Sequence, residues 1–259
     1  MNYGLIGEKL SHSYSKVIHE MIADYTYDIV EIPKKELETF MKERDFKGIN
    51  VTIPYKQDVM QYLDEIDDNA KSIGAVNTIV NHNGKLTGHN TDFAGFLYTV
   101  NKYNIDIGGK KVLVLGRGGA SKAVTAVLKS VGAASIHNVY HKQADDSITY
   151  DEAFSRHSDA DVIVNTTPVG MYPATDASPV DLSRFKQCGA VIDIIYNPAE
   201  TKLLKQAKEL GMTAAAGLDM LVSQAVYASE FFLDKKFYEN SADYAALMDK
   251  VVNRVASML

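Results

Sequence analysis

Residues 111–121 read K-V-L-V-L-G-R-G-G-A-S, an apolar run that stops at a cluster of glycines and passes into helical periodicity. A run that is apolar at every position suits a strand buried on both faces, as in a parallel sheet covered by helices. Glycines at its end let the backbone approach a bulky anion. The N-terminus of the next helix offers that anion free N–H groups and a partial positive charge. The order strand, glycine turn, helix therefore predicts a dinucleotide-binding turn at Gly116, Arg117, Gly118, Gly119 and Ala120. Gly116 and Gly118 fit the first two glycines of a G-x-G-x-x-G pattern, and the small Ser121 stands where the third is expected.

A strand–helix series continues from this turn. Residues 120–131 form a predicted helix ended by Gly132, and residues 135–140 the next strand. Strands are predicted at 161–165 and 190–195, and a helix at 201–210. NAD sites usually carry an acid at the end of the second strand to hold the ribose 2′-OH. Here Tyr140, His141 and Lys142 stand there instead. The basic pair favours NADP over NAD, the alternative being a solvated loop.

Upstream, short β-like runs at 3–6, 27–32 and 48–53 alternate with helical stretches at 15–23 and 34–44. That alternation predicts a mostly parallel sheet. Runs at 76–81 and 85–89 flank Asn83-Gly84, which suits a type I′ hairpin turn. Helical periodicity returns at 92–103, and 218–233 and 242–259 read as two C-terminal helices. The prediction is a two-domain α/β protein. An N-terminal α/β domain spans 1–92 and a Rossmann-like doubly wound domain 93–216. Helices in 217–259 return to pack on the first domain.

Composition bounds the function. The 259 residues are 46% hydrophobic, and the net charge is −6. A mildly acidic chain has no excess of Lys and Arg to meet phosphates non-specifically, which argues against nucleic acid as a partner. One cysteine, Cys188, excludes an internal disulfide framework and reads as a small buried hydrophobe. The seven histidines lack metal-ligand spacing, so no metal is expected. No run is long and apolar enough to span a bilayer, and the first residues do not read as a signal peptide. A cytoplasmic enzyme without a membrane partner is the expectation.

Four polar clusters stand at ends of first-domain elements: S-H-S-Y-S-K at 11–16, N-V-T-I-P-Y-K at 50–56, G-A-V-N-T at 74–78 and G-H-N-T-D at 88–92. Ser13 and Ser15 suit either two neutral donors to a carboxylate or a helix cap. Lys56 is either solvated or functional. Asp92, opening a helix, is either an N-cap or a functional acid.

Together with N-T-T-P-V-G-M at 165–171, D-I-I-Y-N-P at 193–198 and G-L-D-M-L-V-S-Q at 217–224, these motifs resemble the shikimate dehydrogenase family over nearly the whole chain. The resemblance implies reversible NADPH-dependent reduction of 3-dehydroshikimate to shikimate, a step of chorismate and aromatic amino-acid biosynthesis. The expected partner is that small-molecule substrate, bound in a cleft between the domains, with the protein a monomer or a homodimer. It implies Lys56 and Asp92 as the catalytic pair. Ser13, Ser15, Thr52, Asn77, Asp92, Tyr196 and Gln224 would bind substrate. The glycine turn, His141, Lys142, Thr166, Ile194 and Gly217 would meet the cofactor, with Met220 and Asp68 more loosely matched.

The chain departs from the family pattern at Lys16, at Arg117 and at Tyr140-His141-Lys142, where an Asn-Arg-Thr clamp for the 2′-phosphate is usual. Arg117 is expected to replace part of that clamp. The altered clamp leaves an NAD-preferring quinate/shikimate dehydrogenase as one alternative. A non-catalytic ligand-binding sensor is the other.

Overall fold

Tyr3–Gly7 forms β1, and the chain returns through helix α1, Ser15–Ile22, to β2, Tyr27–Glu31, parallel to β1. This is a computed structural model, and it describes residues 1–10, 13–142, 144–237 and 241–259. Ser11 and His12 of the first polar cluster lie outside the described residues. Helix α2, Leu37–Glu43, leads to β3, Gly48–Val51, on the other side of β1. The helix expected over 34–44 divides into a 3-10 turn at Lys34–Glu36 and α2, because the turn's hydrogen bonding starts at the Pro33 carbonyl.

A short strand β4, Glu65–Ile66, and helix α3, Asp68–Ile73, precede the hairpin β5, Thr78–His82, and β6, Lys85–His89. The chain reverses at Asn83 and Gly84, both at positive φ, as a type I′ turn requires. The first sheet has the order β2-β1-β3-β5-β6-β4. β1 pairs with β2 and β3 in parallel and β4 pairs with β6 in parallel, whereas β3-β5 and β5-β6 are antiparallel, so the sheet is mixed. One side of it is packed with Ile6, Met41, Ile49, Ile79 and Leu86. Leu5, Tyr27 and Val80 form a second cluster with Ala228 and Phe232 of helix α8, Leu218–Leu233. Burying one such aromatic contributes roughly 1.5–3 kcal/mol.

Helix α4, Thr91–Lys102, leads to the second sheet: β7, Lys111–Leu115; β8, Ser135–Tyr140; β9, Ile148–Thr149; β10, Val162–Asn165; β11, Ala190–Asp193; and β12, Thr213–Ala216. Helices α5, Gly119–Ser130, α6, Tyr150–Arg156, and α7, Lys202–Glu209, connect them. All pairings are parallel, in the order β12-β11-β10-β7-β8-β9. Counted from β7, that is the doubly wound order 3-2-1-4-5-6, with its reversal between β7 and β10. Leu113, Leu115, Ile163, Val191 and Leu203 are buried in its core. The strand expected over 190–195 stops at Asp193, because that side chain takes the Ile195 N–H and ends the ladder.

Helices α8, Leu218–Leu233, and α9, Ser241–Ala256, complete the chain. Two compact units result: Met1–Gly95 with Val222–Met258, and Phe96–Leu221. No helix among the described residues is long and apolar enough to cross a membrane.

Candidate active site

The polar clusters at 50–56, 74–78 and 88–92 meet at one end of the first sheet's strands. Thr52 and Lys56 follow the C-terminal end of β3. Because β5 is antiparallel to β3, pairing Asn50 with Thr78, the residue before β5, Asn77, lies at the same end. Because β6 is antiparallel to β5, the residues after it, Asn90 to Asp92, return to that end too. Ser13 follows β1, whose C-terminal end lies alongside that of β3. Strand polarity thus gathers residues that are far apart in sequence.

Lys56 Nζ donates to Asp92 Oδ2 at 2.6 Å. Their side chains are 18% and 12% exposed, so the pair is poorly screened yet reachable. Asp92 is not the helix cap. That position belongs to Asn90, whose Oδ1 accepts the Asp92 N–H at 3.1 Å, while its Nδ2 donates to the Ala75 carbonyl at 2.9 Å. With Asn90 as cap, the Asp92 carboxylate is left for Lys56.

Asn77 is the centre of a buried network. Its Oδ1 accepts from the Thr91 N–H at 2.7 Å, from Thr91 Oγ1 at 3.3 Å and from Thr78 Oγ1 at 3.0 Å. Gln224 Oε1, 3.4 Å from Thr91 Oγ1, is the alternative acceptor of that single hydroxyl proton. Behind this, Asn50 Nδ2 donates to Thr78 Oγ1 at 3.0 Å, and Tyr27 Oη donates to Asn50 Oδ1 at 2.6 Å. With three donors on Asn77 Oδ1, the orientation of its amide is fixed.

Ser13 and Ser15 are half-buried. Ser15 is the first residue of α1 and does not cap it. Instead the Ser13 Oγ accepts the Ser15 N–H at 3.2 Å. Thr52 is also half-buried, and its N–H donates to the Ile6 carbonyl at 3.0 Å. Asp68 begins α3, exposed, beside Lys71 at 3.9 Å.

The expected cofactor residues share one edge of the second sheet. Gly116, Tyr140, Thr166, Ile194 and Gly217 each lie at or just beyond the C-terminal end of a parallel strand. Gly116 has φ +107°, and a Cβ there would lie 2.7 Å from Thr166 Oγ1. Gly118 precedes α5, no side chain caps that helix, and a Cβ on Gly118 would meet open space. The N-terminus of α5 thus has N–H groups without a side-chain cap and room before it, which fits a pyrophosphate. Ser121 is buried, and its hydroxyl donates to the Gly118 carbonyl at 2.8 Å.

Thr166 Oγ1 donates to the Leu115 carbonyl at 2.7 Å, tying β10 to the glycine turn. Gly217 packs so closely on the Ile194 carbonyl that any side chain would enter it. Met220 is buried near the start of α8. Tyr196, half-buried, belongs to this second unit, whereas the other expected substrate residues belong to the first. His141 and Lys142 are exposed, with the His141 ring 4.1 Å from that of Tyr140.

Three supporting residues stand inside the motifs at 88–92, 193–198 and 217–224, although the sequence assigns them no role. Asp193 is fully buried and accepts from Thr201 Oγ1 at 2.7 Å, Asn165 Nδ2 at 3.0 Å and the Ile195 N–H at 3.1 Å. Burial pushes its carboxyl up to about 6 against these donors. Asp219 pairs with Lys102 at 2.8 Å and Tyr103 Oη at 2.9 Å, anchoring α8 to the end of α4. Burial, with Asp219 adding to it, pushes the Tyr103 phenol up to about 12. Asn90, the cap, is the third.

Residues 5–79 match the family model described as the shikimate dehydrogenase substrate binding domain. A protein of Clostridium beijerinckii named shikimate dehydrogenase (NADP(+)) is 44% identical over 245 residues, covering 89% of this chain and 91% of that protein. The chain belongs to the shikimate dehydrogenase family. A chorismate mutase/shikimate 5-dehydrogenase fusion protein from Clostridium acetobutylicum has a crystal structure of TM-score 0.90, 39% identical, covering 99% of this chain and 97% of that one. A shikimate 5-dehydrogenase from Thermus thermophilus, in complex with NADP(H) and shikimate, has TM-score 0.84 at 28% identity, covering 98% and 99%. The likeness to these shikimate dehydrogenases spans both units.

Proposed function

We propose that this protein reversibly reduces 3-dehydroshikimate to shikimate with NADPH, using Lys56 and Asp92 for proton transfer. The observation that carries this reading is the Lys56–Asp92 contact at the edge where the polar clusters of the first unit gather. The family membership supplies the substrate class.

A dinucleotide held there would supply a hydride to the ring carbonyl carbon. The carbonyl oxygen gains negative charge as the π bond opens, and the Lys56 ammonium is the group that stabilises this charge and delivers the proton. Asp92 holds Lys56 in place and balances its charge. In the reverse direction neutral Lys56 would take the hydroxyl proton while the hydride passes from the same carbon to the oxidised dinucleotide. Ser13 and Ser15 offer hydroxyls to the substrate carboxylate. Thr52, Asn77 and Gln224 orient the ring hydroxyls, with Asn77 presenting its amide N–H groups because its oxygen is engaged. Tyr196 completes the substrate set. Gly116, Gly118, Gly119 and Ala120, with the Arg117 backbone, would hold the pyrophosphate, and Thr166, Ile194 and Gly217 would line the nicotinamide end.

Oxidation of shikimate with NADP+ and with NAD+ tests the reading. Turnover that prefers NADP+ and is lost in Lys56→Ala is expected. Turnover unaffected by that substitution removes the proton-transfer role. A second reading, an NAD-preferring quinate/shikimate dehydrogenase, is favoured by one feature: Tyr140-His141-Lys142 contains no arginine. Faster turnover with NAD+ and quinate would select it.

A further inference from the structure

Arg117 occupies an uncommon position for a cation, between Gly116 and Gly118 in the dinucleotide turn itself. Its guanidinium lies 5.3 Å above the centre of the Tyr140 ring. Its Nη2 is 2.8 Å from Asp146 Oδ1 and 3.0 Å from Oδ2. Tyr140 is the last residue of β8, which pairs with β7 in the register Leu115 to Val139. In a doubly wound unit this strand end faces the adenosine ribose. The arginine therefore stands where the extra phosphate of NADP would arrive, stacked on an aromatic platform that restricts its motion.

Asp146 belongs to the segment between β8 and β9, and both partners are open to water, with side chains 39% and 62% exposed. Exposed ion pairs of this kind are weak and exchange readily. A phosphate dianion offers a planar guanidinium the same two-pronged geometry as a carboxylate, with more charge. A ribose hydroxyl offers neither.

We propose that Arg117, braced on Tyr140, is the receptor for the cofactor 2′-phosphate, and that Asp146 is a placeholder which the phosphate displaces. The proposal rests on the dinucleotide reading of the turn. It makes selectivity an exchange: NADP replaces the carboxylate on Arg117, whereas NAD leaves the pair intact. Asp146 then works against NADP twice, by occupying the cation and by repelling the incoming charge.

Binding of NADP+ and NAD+ to the full chain, measured by calorimetry without substrate, tests this. The wild type is expected to bind NADP+ more tightly. Arg117→Ala is expected to weaken NADP+ about 10- to 100-fold, the scale of a lost charge-assisted contact, and to leave NAD+ within about twofold. Asp146→Asn is expected to tighten NADP+ about three- to tenfold with NAD+ unchanged. NAD+ affinity serves as the control for folding in each variant. Equal weakening of both dinucleotides by Arg117→Ala would place the arginine on the pyrophosphate and overturn the proposal. So would weaker NADP+ binding by Asp146→Asn, or loss of the NADP+ preference on Lys142→Ala in place of Arg117→Ala. A wild type that binds neither dinucleotide would overturn the cofactor reading itself, and the proposal with it.

Discussion

Lys56 Nζ lies 2.6 Å from Asp92 Oδ2, an ion pair between residues 36 positions apart on opposite sides of the β5–β6 hairpin in the sequence. The hairpin makes the pair: it returns the chain to the sheet edge where β3 ended. Replacing Lys56 by Ala is expected to lower kcat for shikimate oxidation about 10²- to 10⁴-fold, the usual worth of a positioned acid–base group. The NADP+ dissociation constant should not move, since no group of the dinucleotide turn is touched. Steady-state rates and a binding titration on the same preparation check both halves.

The Asn77 network predicts a different signature. Thr78 Oγ1 links Asn50 to Asn77, and all three residues are buried. Thr78→Val leaves the Asn50 amide one acceptor short and removes one of the donors to the Asn77 oxygen. The expected cost is about 1–3 kcal/mol of stability, the penalty for a buried polar group left unpaired. The KM for shikimate should rise more than kcat falls, because Asn77 binds and does no proton transfer. Urea unfolding together with saturation kinetics would show this, and a fall in kcat alone would contradict it.

Gly217→Ala tests the cofactor edge. A Cβ at this position enters the Ile194 carbonyl, which is backbone and cannot rotate away. Destabilisation of about 1–3 kcal/mol is expected from overpacking, with weakened NADP+ binding as Ile194 is pushed aside. Gly116→Ala should cost a similar ~1–3 kcal/mol, because φ +107° strains any side chain. Thermal melts with and without NADP+ measure both effects.

Stability should also respond to acid through His19. Its ring is buried, stacked on Tyr27 at 4.0 Å, with Nδ1 2.6 Å from Tyr25 Oη and 3.0 Å from Ser229 Oγ. Burial pushes the imidazole from its ordinary 6.5 down to about 3. Between those values the unfolded chain binds a proton that the folded chain does not, so stability rises with pH there and is lost as pH falls. The slope from this one residue is about 1.4 kcal/mol per pH unit. Unfolding of His19→Phe, followed across the same range, should show a slope shallower by that amount. An unchanged slope would mean that the ring is protonated in the fold.

Much of the fold could be read from residues 111–121 and the Asn83-Gly84 turn, because a continuous apolar strand and a two-residue hairpin each have one dominant structural solution. The elements that escaped are short and held by side chains. Helix α3 is set by Asp67, which takes the Ala70 N–H, and α6 by a Thr149–Glu152 capping box, and neither has a long apolar stripe. Strand β12 reads T-A-A-A, with a single branched residue, Thr213, and forms because β11 offers it an edge. At the site, single motifs were ambiguous in sequence. Asp92 looked like a cap because an acid at a helix start usually is one, and only the Asn90 side chain shows otherwise. Asp193 opens a motif, yet its role is not legible there because its three donors, Asn165, Ile195 and Thr201, meet only in the folded sheet.

The central claim is the reaction, and the most direct measurement is NADP+ reduction by the purified protein with shikimate as the sole hydride donor, wild type beside Lys56→Ala. Turnover by the wild type is expected, with a loss of about 10²- to 10⁴-fold in the variant at unchanged NADP+ affinity. A wild type that binds NADP+ and shikimate yet produces no NADPH, or a variant that turns over as fast, would contradict it.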